Sequence, residues 1–359
     1  MIHFGDISKE EFLREYWQKK PLFIKSAIPG FISPLSPNEL AGLSCEDEFE
    51  SRIIKGSVKN NLWTLENGPF NDKSFKNTPN NEWTLLVQGV DKHVQEIYEL
   101  IDEFNFIPRW RFDDVMISFA SLGGSVGPHY DHYDVFLLQG HGKRKWQISS
   151  IDCNPSNYVP SSPLRIMKNF EIETTWVAEP GDIVYIPPGI AHHGESTDNE
   201  CITLSIGYRS YSANEMLESL ELIRDDDNNS YYKDPLWLDQ QGSAEIPNSA
   251  IEKLIKLTKN SKLSDTFFGC FVTKLDPLDE EKLNDVVAFN SPLIIKDSVT
   301  YSLHPLSRIA YQFIDKVLVV FLNGNTLQIN AIHDDLIIDF CNTSRIKVTA
   351  INKPLAIQF

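Results

Sequence analysis

Between residues 115 and 208 the chain breaks into short runs of β-branched and aromatic residues, punctuated by glycine and proline. No other feature restricts the fold as much. Residues 115–119, 134–139, 144–148, 181–186 and 201–208 have the length and composition of strands. Gly123-Gly124-Ser125-Val126-Gly127-Pro128 reads as a turn, and Gly140-His141-Gly142 reads as the loop of a hairpin joining the second and third runs. Many short strands with such turns predict a small barrel or a double-sheet jelly roll.

The flanks differ. Residues 8–17 carry a short helix signal, Pro21-Leu22-Phe23-Ile24 is an apolar piece, and the Asn-, Asp- and Lys-rich stretch 71–82 reads as a surface loop. After Tyr208 the pattern turns helical. Ser212-Ala213-Asn214-Glu215 is a capping box, with Met216, Leu217, Leu220 and Ile223 on one face, and a second helix follows Pro247 with Ile251, Leu254 and Ile255 as its stripe. Beyond about Lys274 the signal is mixed, and Asn323-Gly324 between apolar runs predicts a hairpin over 314–329.

A net charge of -17 argues against a nucleic-acid binder, which needs a basic face, and suits either plain solubility or a basic macromolecular partner. The longest aliphatic run, residues 317–322, is far below the ~18 residues of a membrane span. The start, Met1-Ile2-His3-Phe4-Gly5-Asp6, lacks the pattern of a signal peptide, so the expectation is a cytoplasmic protein. Five scattered cysteines without a CxxC pair predict neither a zinc knuckle nor a disulfide framework.

Histidines carry the chemistry. His-x-Asp on a strand sets two metal ligands side by side, because residues i and i+2 share a face. Three such pairs occur: His129/Asp131, His132/Asp134 and His333/Asp335. The last reads as a solvated loop. The first two lie on opposite faces of one expected strand, so only one can face a barrel interior, and spacing does not say which. His192 or His193, after Ile186-Pro187-Pro188-Gly189, would supply a third ligand.

Two longer motifs go further. The run from Gly127 to Phe136, followed by Gly140-His141-Gly142-Lys143-Arg144-Lys145-Trp146, resembles the JmjC-type, cupin-like ribosomal oxygenases, and the run from Glu179 to His192 is similar to that family's third-ligand segment. Tyr16-Trp17-Gln18-Lys19-Lys20-Pro21, Trp83-Thr84-Leu85-Leu86-Val87-Gln88 and the run from Trp110 to Phe119 resemble its bacterial branch, so the likeness covers most of residues 1–235.

The resemblance implies a double-stranded β-helix core in a mainly β chain with added helices: a catalytic domain over 1–210 (core about 95–210), a helical dimerisation region over 211–265, and a winged-helix-like α/β module over 266–359. It fades after about residue 260, and the chain stops in what reads as mid-module, which leaves the completeness of that module open. It assigns His129, Asp131 and His192 to Fe(II), and Arg144 to the distal carboxylate of 2-oxoglutarate, with Ser118 on a neighbouring strand as a hydroxyl partner. A strand would put Arg144 on the inward face with Trp146 and Ile148. Tyr133, expected on the same strand face as the ligands, is a candidate for the substrate channel.

The implied reaction uses O2 to convert 2-oxoglutarate to succinate and carbon dioxide while hydroxylating a large-subunit ribosomal protein, an arginine of the sixteenth in the bacterial branch. A homodimer is implied. No recognition helix rich in basic residues occurs over 265–359, so no nucleic-acid binding is expected. The alternatives are a non-catalytic cupin-like binding protein, the same chemistry on a ribosomal histidine, lysine demethylation, or a structural-metal cupin. An intact triad with Arg144 argues against the first.

Overall fold

The computed structural model describes residues 2–59, 62–160, 162–220, 230–238, 240, 242–258, 263–289, 295–327 and 334–349. It divides into two compact units, residues 1–104 with 113–209, and residues 105–112 with 210–359.

In the first unit, helix α1 (Lys9–Glu15) begins where the Ser8 side chain accepts the Glu11 N–H, and α2 (Pro37–Leu43) begins at a capping box formed by Ser36 and Glu39. The stretch 71–82, expected as loop, holds a short helix, α3 (Asp72–Lys76). Asn71 caps it through the N–H groups of Lys73 and Ser74. None of its residues is buried, so it left no apolar period to read. Helix α4 (Gln95–Leu100) completes the set.

Among the described residues, twelve strands build the rest: β1 (Leu22–Ile24), β2 (Ser51–Ser57), β3 (Leu62–Asn67), β4 (Trp83–Val87), β5 (Phe112–Ala120), β6 (His129–Tyr130), β7 (Val135–His141), β8 (Arg144–Ser149), β9 (Thr174–Ala178), β10 (Ile183–Ile186), β11 (Ala191–Ser196) and β12 (Cys201–Tyr208). They form an eight-stranded sheet in the order β1-β10-β7-β12-β5-β4-β2-β3 and a four-stranded sheet in the order β6-β11-β8-β9. The ladders β1-β10-β7-β12, β5-β4-β2-β3 and β6-β11-β8-β9 are antiparallel.

Val135, Leu137, Val184 and Ile186 of the large sheet pack with Trp146, Ile148 and Ala178 of the small one in a single buried cluster. Phe136 points the other way, into an aromatic group with Phe12, Trp17, Phe104, Tyr185 and Tyr208. Strand β7 is therefore covered on both faces, which is why its sequence is nearly all apolar instead of alternating. Full burial of each large apolar side chain here contributes about 1.5–3 kcal/mol relative to exposure.

One sequence expectation fails at an informative place. Residues 140–142 do not close a hairpin: β7 pairs with β10 and β12, whereas β8 pairs with β9 and β11. The chain instead crosses from one sheet to the other there. The turn residues are the same in either case, and the choice rests on which strands later offer better partners.

In the second unit, α5 (Ala213–Ser219) starts at the expected capping box and buries Met216 and Leu217; Ile223 lies outside the described residues. Helix α6 (Asn248–Thr258) buries Leu254 but leaves Ile255 37% exposed, so its stripe is narrower than expected. Helices α7 (Phe267–Thr273) and α8 (Pro277–Phe289) follow. Strand β13 (Thr300–Ser302) precedes a meander of β14 (Ile309–Ile314), β15 (Val317–Leu322) and β16 (Asn325–Leu327). Both meander turns, Asp315-Lys316 and Asn323-Gly324, have positive φ throughout, as two-residue hairpins require. The expected hairpin is thus the second of two, and residues 328–329 lie outside the description. Helix α9 (Asp334–Thr343) and β17 (Arg345–Lys347), paired with β13, are the last described elements of the unit. Segment 105–112 belongs to this unit through Arg111, whose guanidinium donates to Asp234 at 2.8 Å with both side chains 1% exposed.

The sheet-crossing turn can be tested directly. Gly142 has φ +62°, and an added Cβ would stand 2.2 Å from the Glu200 carbonyl oxygen. Gly142→Ala should destabilise the protein by about 1–3 kcal/mol in a denaturant titration, whereas Gly5→Ala, with the same backbone sign but open space, should cost less.

Candidate metal centre

Strand β6 is short, and its partner β11 sets His192 directly opposite His129. Their rings lie 4.3 Å apart between centroids. Beyond Tyr130 the chain leaves the strand, so Asp131 lies just past its end, before the bend at His132 and Tyr133, and the continuing strand expected for His129 and Asp131 is not there. What holds it is the third-ligand segment. The Gly189 N–H, in the Pro187-Pro188-Gly189 turn, donates to the Asp131 carbonyl at 2.7 Å. The Asp131 carboxylate then lies 3.7 Å from Nε2 of both histidines.

One ligand atom from each of His129, Asp131 and His192 falls within 4.8 Å of the others, the sole such group among the described residues. The Nδ1 atoms of His129 and His192 face the carbonyls of Gly127 and Ile190 at 2.9 and 3.3 Å. A proton on Nδ1 satisfies each carbonyl and leaves both Nε2 lone pairs aimed at one point. Burial, then the neighbouring His129, pushes His192 down to about 4, so it is a neutral donor at physiological pH. Two imidazoles and one carboxylate on one side suit Fe(II), with positions left for other ligands.

The competing pairs separate. Asp134 is 1% exposed and accepts hydrogen bonds from the Tyr185 hydroxyl at 2.5 Å and Gln18 at 3.1 Å, a structural role; His132 is exposed. His193 is buried, with Nδ1 3.1 Å from Gln147 Oε1. His333 lies outside the described residues.

The triad opens onto a cavity of about 480 Å³. Arg144 lines it, 4% exposed, on the inward face of β8 with Trp146 and Ile148, while Lys143 and Lys145 point outward to Glu179 and Glu195. Its Nη1 donates to the hydroxyls of Ser118 at 3.1 Å and Thr203 at 3.2 Å. Ser118 reaches it from the opposing sheet, not from a neighbouring strand. No acid pairs with Arg144 among the described residues, its Nε is buried without a partner, and burial lowers its pKa. A buried cation so placed calls for an anion in the cavity, and a dicarboxylate that also reaches the metal fits.

Tyr133 lines the same cavity, 41% exposed and in the bend after Asp131 instead of on a strand. Burial of its hydroxyl, then the Asp131 carboxylate, push its pKa up.

Two features went unread in the sequence. Asp114 and Met116 share the cavity-facing side of β5 with Ser118 at spacings of two, so stepping back from Ser118 would have found them. Asp114 Oδ2 accepts from Gln88 Nε2 at 2.7 Å and the Gly89 N–H at 2.9 Å. Burial and then Asp113 raise its pKa. Thr203 carried no local signal; only its place on β12 brings it to Arg144.

Comparison with known proteins gives a consistent picture. Residues 99–216 match the family described as JmjC domain. The ribosomal protein uL16 3-hydroxylase of Escherichia coli strain K12 is 34% identical over 270 residues, covering 74% of this chain and 71% of that protein. A probable ribosomal oxygenase of Haemophilus influenzae is 34% identical over 273 residues, covering 73% and 67%. Among solved structures, the X-ray structure of E. coli ycfD superposes with a TM-score of 0.71 at 28% identity, covering 100% of this chain and 95% of that one. The E. coli ribosomal oxygenase YcfD in complex with cobalt and 2-oxoglutarate gives 0.65 at 28% identity, covering 98% and 93%.

The purified chain should bind one equivalent of Fe(II) or Co(II), measured by calorimetry without oxygen. His129→Ala, Asp131→Ala and His192→Ala should each weaken binding by more than about a hundredfold, and His132→Ala should not.

Proposed function

The chain belongs to the JmjC-domain ribosomal oxygenases, and on that premise we propose that it hydroxylates an arginine of a large-subunit ribosomal protein, the uL16 counterpart, with Fe(II) and 2-oxoglutarate. One observation carries the reading: a three-residue metal group and a buried arginine without an acid partner line the same cavity.

His129, Asp131 and His192 would hold the metal, and Arg144 would hold the distal carboxylate of 2-oxoglutarate, supported by Ser118. With Fe(II) and 2-oxoglutarate bound, the site would supply oxidative decarboxylation to succinate and the oxidising power to hydroxylate an unactivated carbon. The chain's own task is placement. Trp146 and Leu137 give the cavity dry walls, and the tied turn at Gly189 keeps the carboxylate of Asp131 in line with both imidazoles.

Substrate selection falls to the remaining wall. Leu86 and Met116 offer an apolar channel, Asp113 and Asp114 carry carboxylates, and Tyr133 adds a ring. An arginine side chain has the matching form, an apolar stem with a cationic fork. Arg52 Nη2 donates to Gln88 Oε1 at 3.1 Å, which turns the Gln88 amide N–H toward Asp114 and holds that carboxylate in place. The net charge of -17 would draw a basic ribosomal protein to the surface.

The wider organisation follows the family resemblance. We read residues 1–210 as a catalytic domain with a double-stranded β-helix core, 211–265 as a helical dimerisation region and 266–359 as a winged-helix-like module. The reading makes the protein a cytoplasmic homodimer. No helix among the described residues is long and apolar enough to cross a membrane.

Incubation with Fe(II), ascorbate, 2-oxoglutarate and a peptide from the arginine-bearing loop of that ribosomal protein should add one oxygen atom to the arginine, seen by mass spectrometry and lost in His129→Ala. Succinate without peptide oxidation would discard the substrate; neither product, from protein with metal bound, would leave a non-catalytic binding protein.

Asp114→Asn should lower kcat/KM for the peptide by at least about thirtyfold with little change in KM for 2-oxoglutarate. The raised pKa of Asp114 sets the sign of a pH effect. As pH falls through it, the carboxylate takes a proton and loses its hold on a guanidinium that stays charged. Wild-type kcat/KM should therefore drop on the acid side more steeply than that of Asp114→Asn.

A further inference from the structure

The cavity network ends in a residue with no part in the scheme above. Gln139 is fully buried on β7, two positions beyond the cavity-lining Leu137. Strand β12 slips against β7 here: Thr203 pairs with Gln139 but Ile202 pairs with His141, so Gly140 is an extra residue. The bulge brings the carbonyls of His141 and Gly142 within reach of Gln139 Nε2, at 2.7 and 3.2 Å, and the same nitrogen lies 3.3 Å from Cys201 Sγ.

Those contacts decide which end of the amide is nitrogen. Oε1 is left facing Thr203 and accepts its hydroxyl proton at 3.1 Å. A threonine hydroxyl has one proton, so Thr203 can only accept from Arg144 Nη1. Ser118 is constrained in the same way, because its proton goes to the Thr203 carbonyl at 3.3 Å while it accepts from the same Nη1. Both hydroxyls thus grip one nitrogen of the guanidinium, leaving its Nε–Nη2 edge for a ligand. Nε is among the buried atoms without a partner.

We propose that Gln139 is a positioning residue for the cosubstrate: by fixing the Thr203 hydroxyl as an acceptor, it turns the Nε–Nη2 edge of Arg144 toward the cavity, where that edge takes a carboxylate in a two-point grip. The proposal rests on the cosubstrate reading given above. It adds a residue that touches neither metal nor 2-oxoglutarate yet sets the selectivity for a keto acid with a distal carboxylate. Leucine at this position would fill the space but free the threonine proton to point at Arg144.

The test uses the full chain loaded with Fe(II) under anaerobic conditions, with binding read by calorimetry. Two ligands are compared: 2-oxoglutarate, and 2-oxopentanoate, which has the same metal-chelating end but no distal carboxylate. Gln139→Leu should weaken 2-oxoglutarate about tenfold and leave 2-oxopentanoate unchanged. Thr203→Val should do the same, Thr203→Ser should restore wild-type affinity, and the double variant Gln139→Leu/Thr203→Val should lose no more than either single change. A folded Gln139→Leu protein with wild-type affinity for 2-oxoglutarate would overturn the proposal, as would equal weakening of both ligands. Should circular dichroism show that Gln139→Leu does not fold, the threonine pair decides, and wild-type affinity in Thr203→Val overturns it. A wild-type chain that binds Fe(II) but not 2-oxoglutarate would sink the cosubstrate reading itself, before any variant is made.

Discussion

The antiparallel register of β11 against β6 is the constraint on which the site depends. It puts His192 opposite His129. The same strand pairs on its other edge with β8, setting His192 against Ile148 and Ser196 against Arg144. One strand thus fixes the spacing between the two imidazoles and the strand that carries the buried guanidinium. A slip of one residue would turn His192 outward and bring His193 in, because side chains alternate faces. The apolar cluster of Val135, Leu137, Trp146, Ile148, Val184 and Ile186 opposes such a slip, since it would send the buried side chains of β8 or β11 to the opposite face.

Charge inside the cavity follows from burial. Desolvation keeps His192 neutral and destabilises the charged form of Arg144, so the unliganded interior holds a cation that only an anion can satisfy. The opposite wall carries Asp113 and Asp114, where burial and mutual repulsion raise the Asp114 pKa and a cation would lower it again. A metal cation at the triad, an anion at Arg144 and a cation at Asp114 would each relieve a cost that the fold has already accepted. The cavity is thus charged in sections, with Arg144 on one wall and Asp113 and Asp114 on another.

Legibility in the sequence tracked distance along the chain. His129, Asp131, His192 and Arg144 stood in long local motifs, and the inward face of Arg144, Trp146 and Ile148 came straight from the period of two. Capping at Ser212 was readable because the cap and the N–H it accepts lie within a few residues. Thr203 and Gln139 were not, since they meet each other across two strands that lie far apart along the chain. The route of residues 140–142 misled for the same reason: a glycine-rich link fits a hairpin and a sheet crossing equally, and partners far along the chain decide. Asp131 and Tyr133 were expected on a continuing strand, but the strand ends at Tyr130, and the Asp131 carbonyl accepts from Gly189, far along the chain.

By itself the sequence determined which residues could bind a metal and an anion, that strands and not helices would carry most of them, and that the chain resembles the JmjC ribosomal oxygenases. Residue type and spacing suffice for this, because donor chemistry and strand alternation are local properties. Spacing alone left open whether His129/Asp131 or His132/Asp134 would face His192; the resemblance pointed to the first pair, and the tertiary structure brings that pair to His192. Only the tertiary structure decided that Ser118 would reach Arg144 from the opposing sheet, and that Asp114 would share their cavity. Those choices depend on register and sheet closure, where the free energy comes from burying many distant side chains at once and no short stretch of sequence records the outcome.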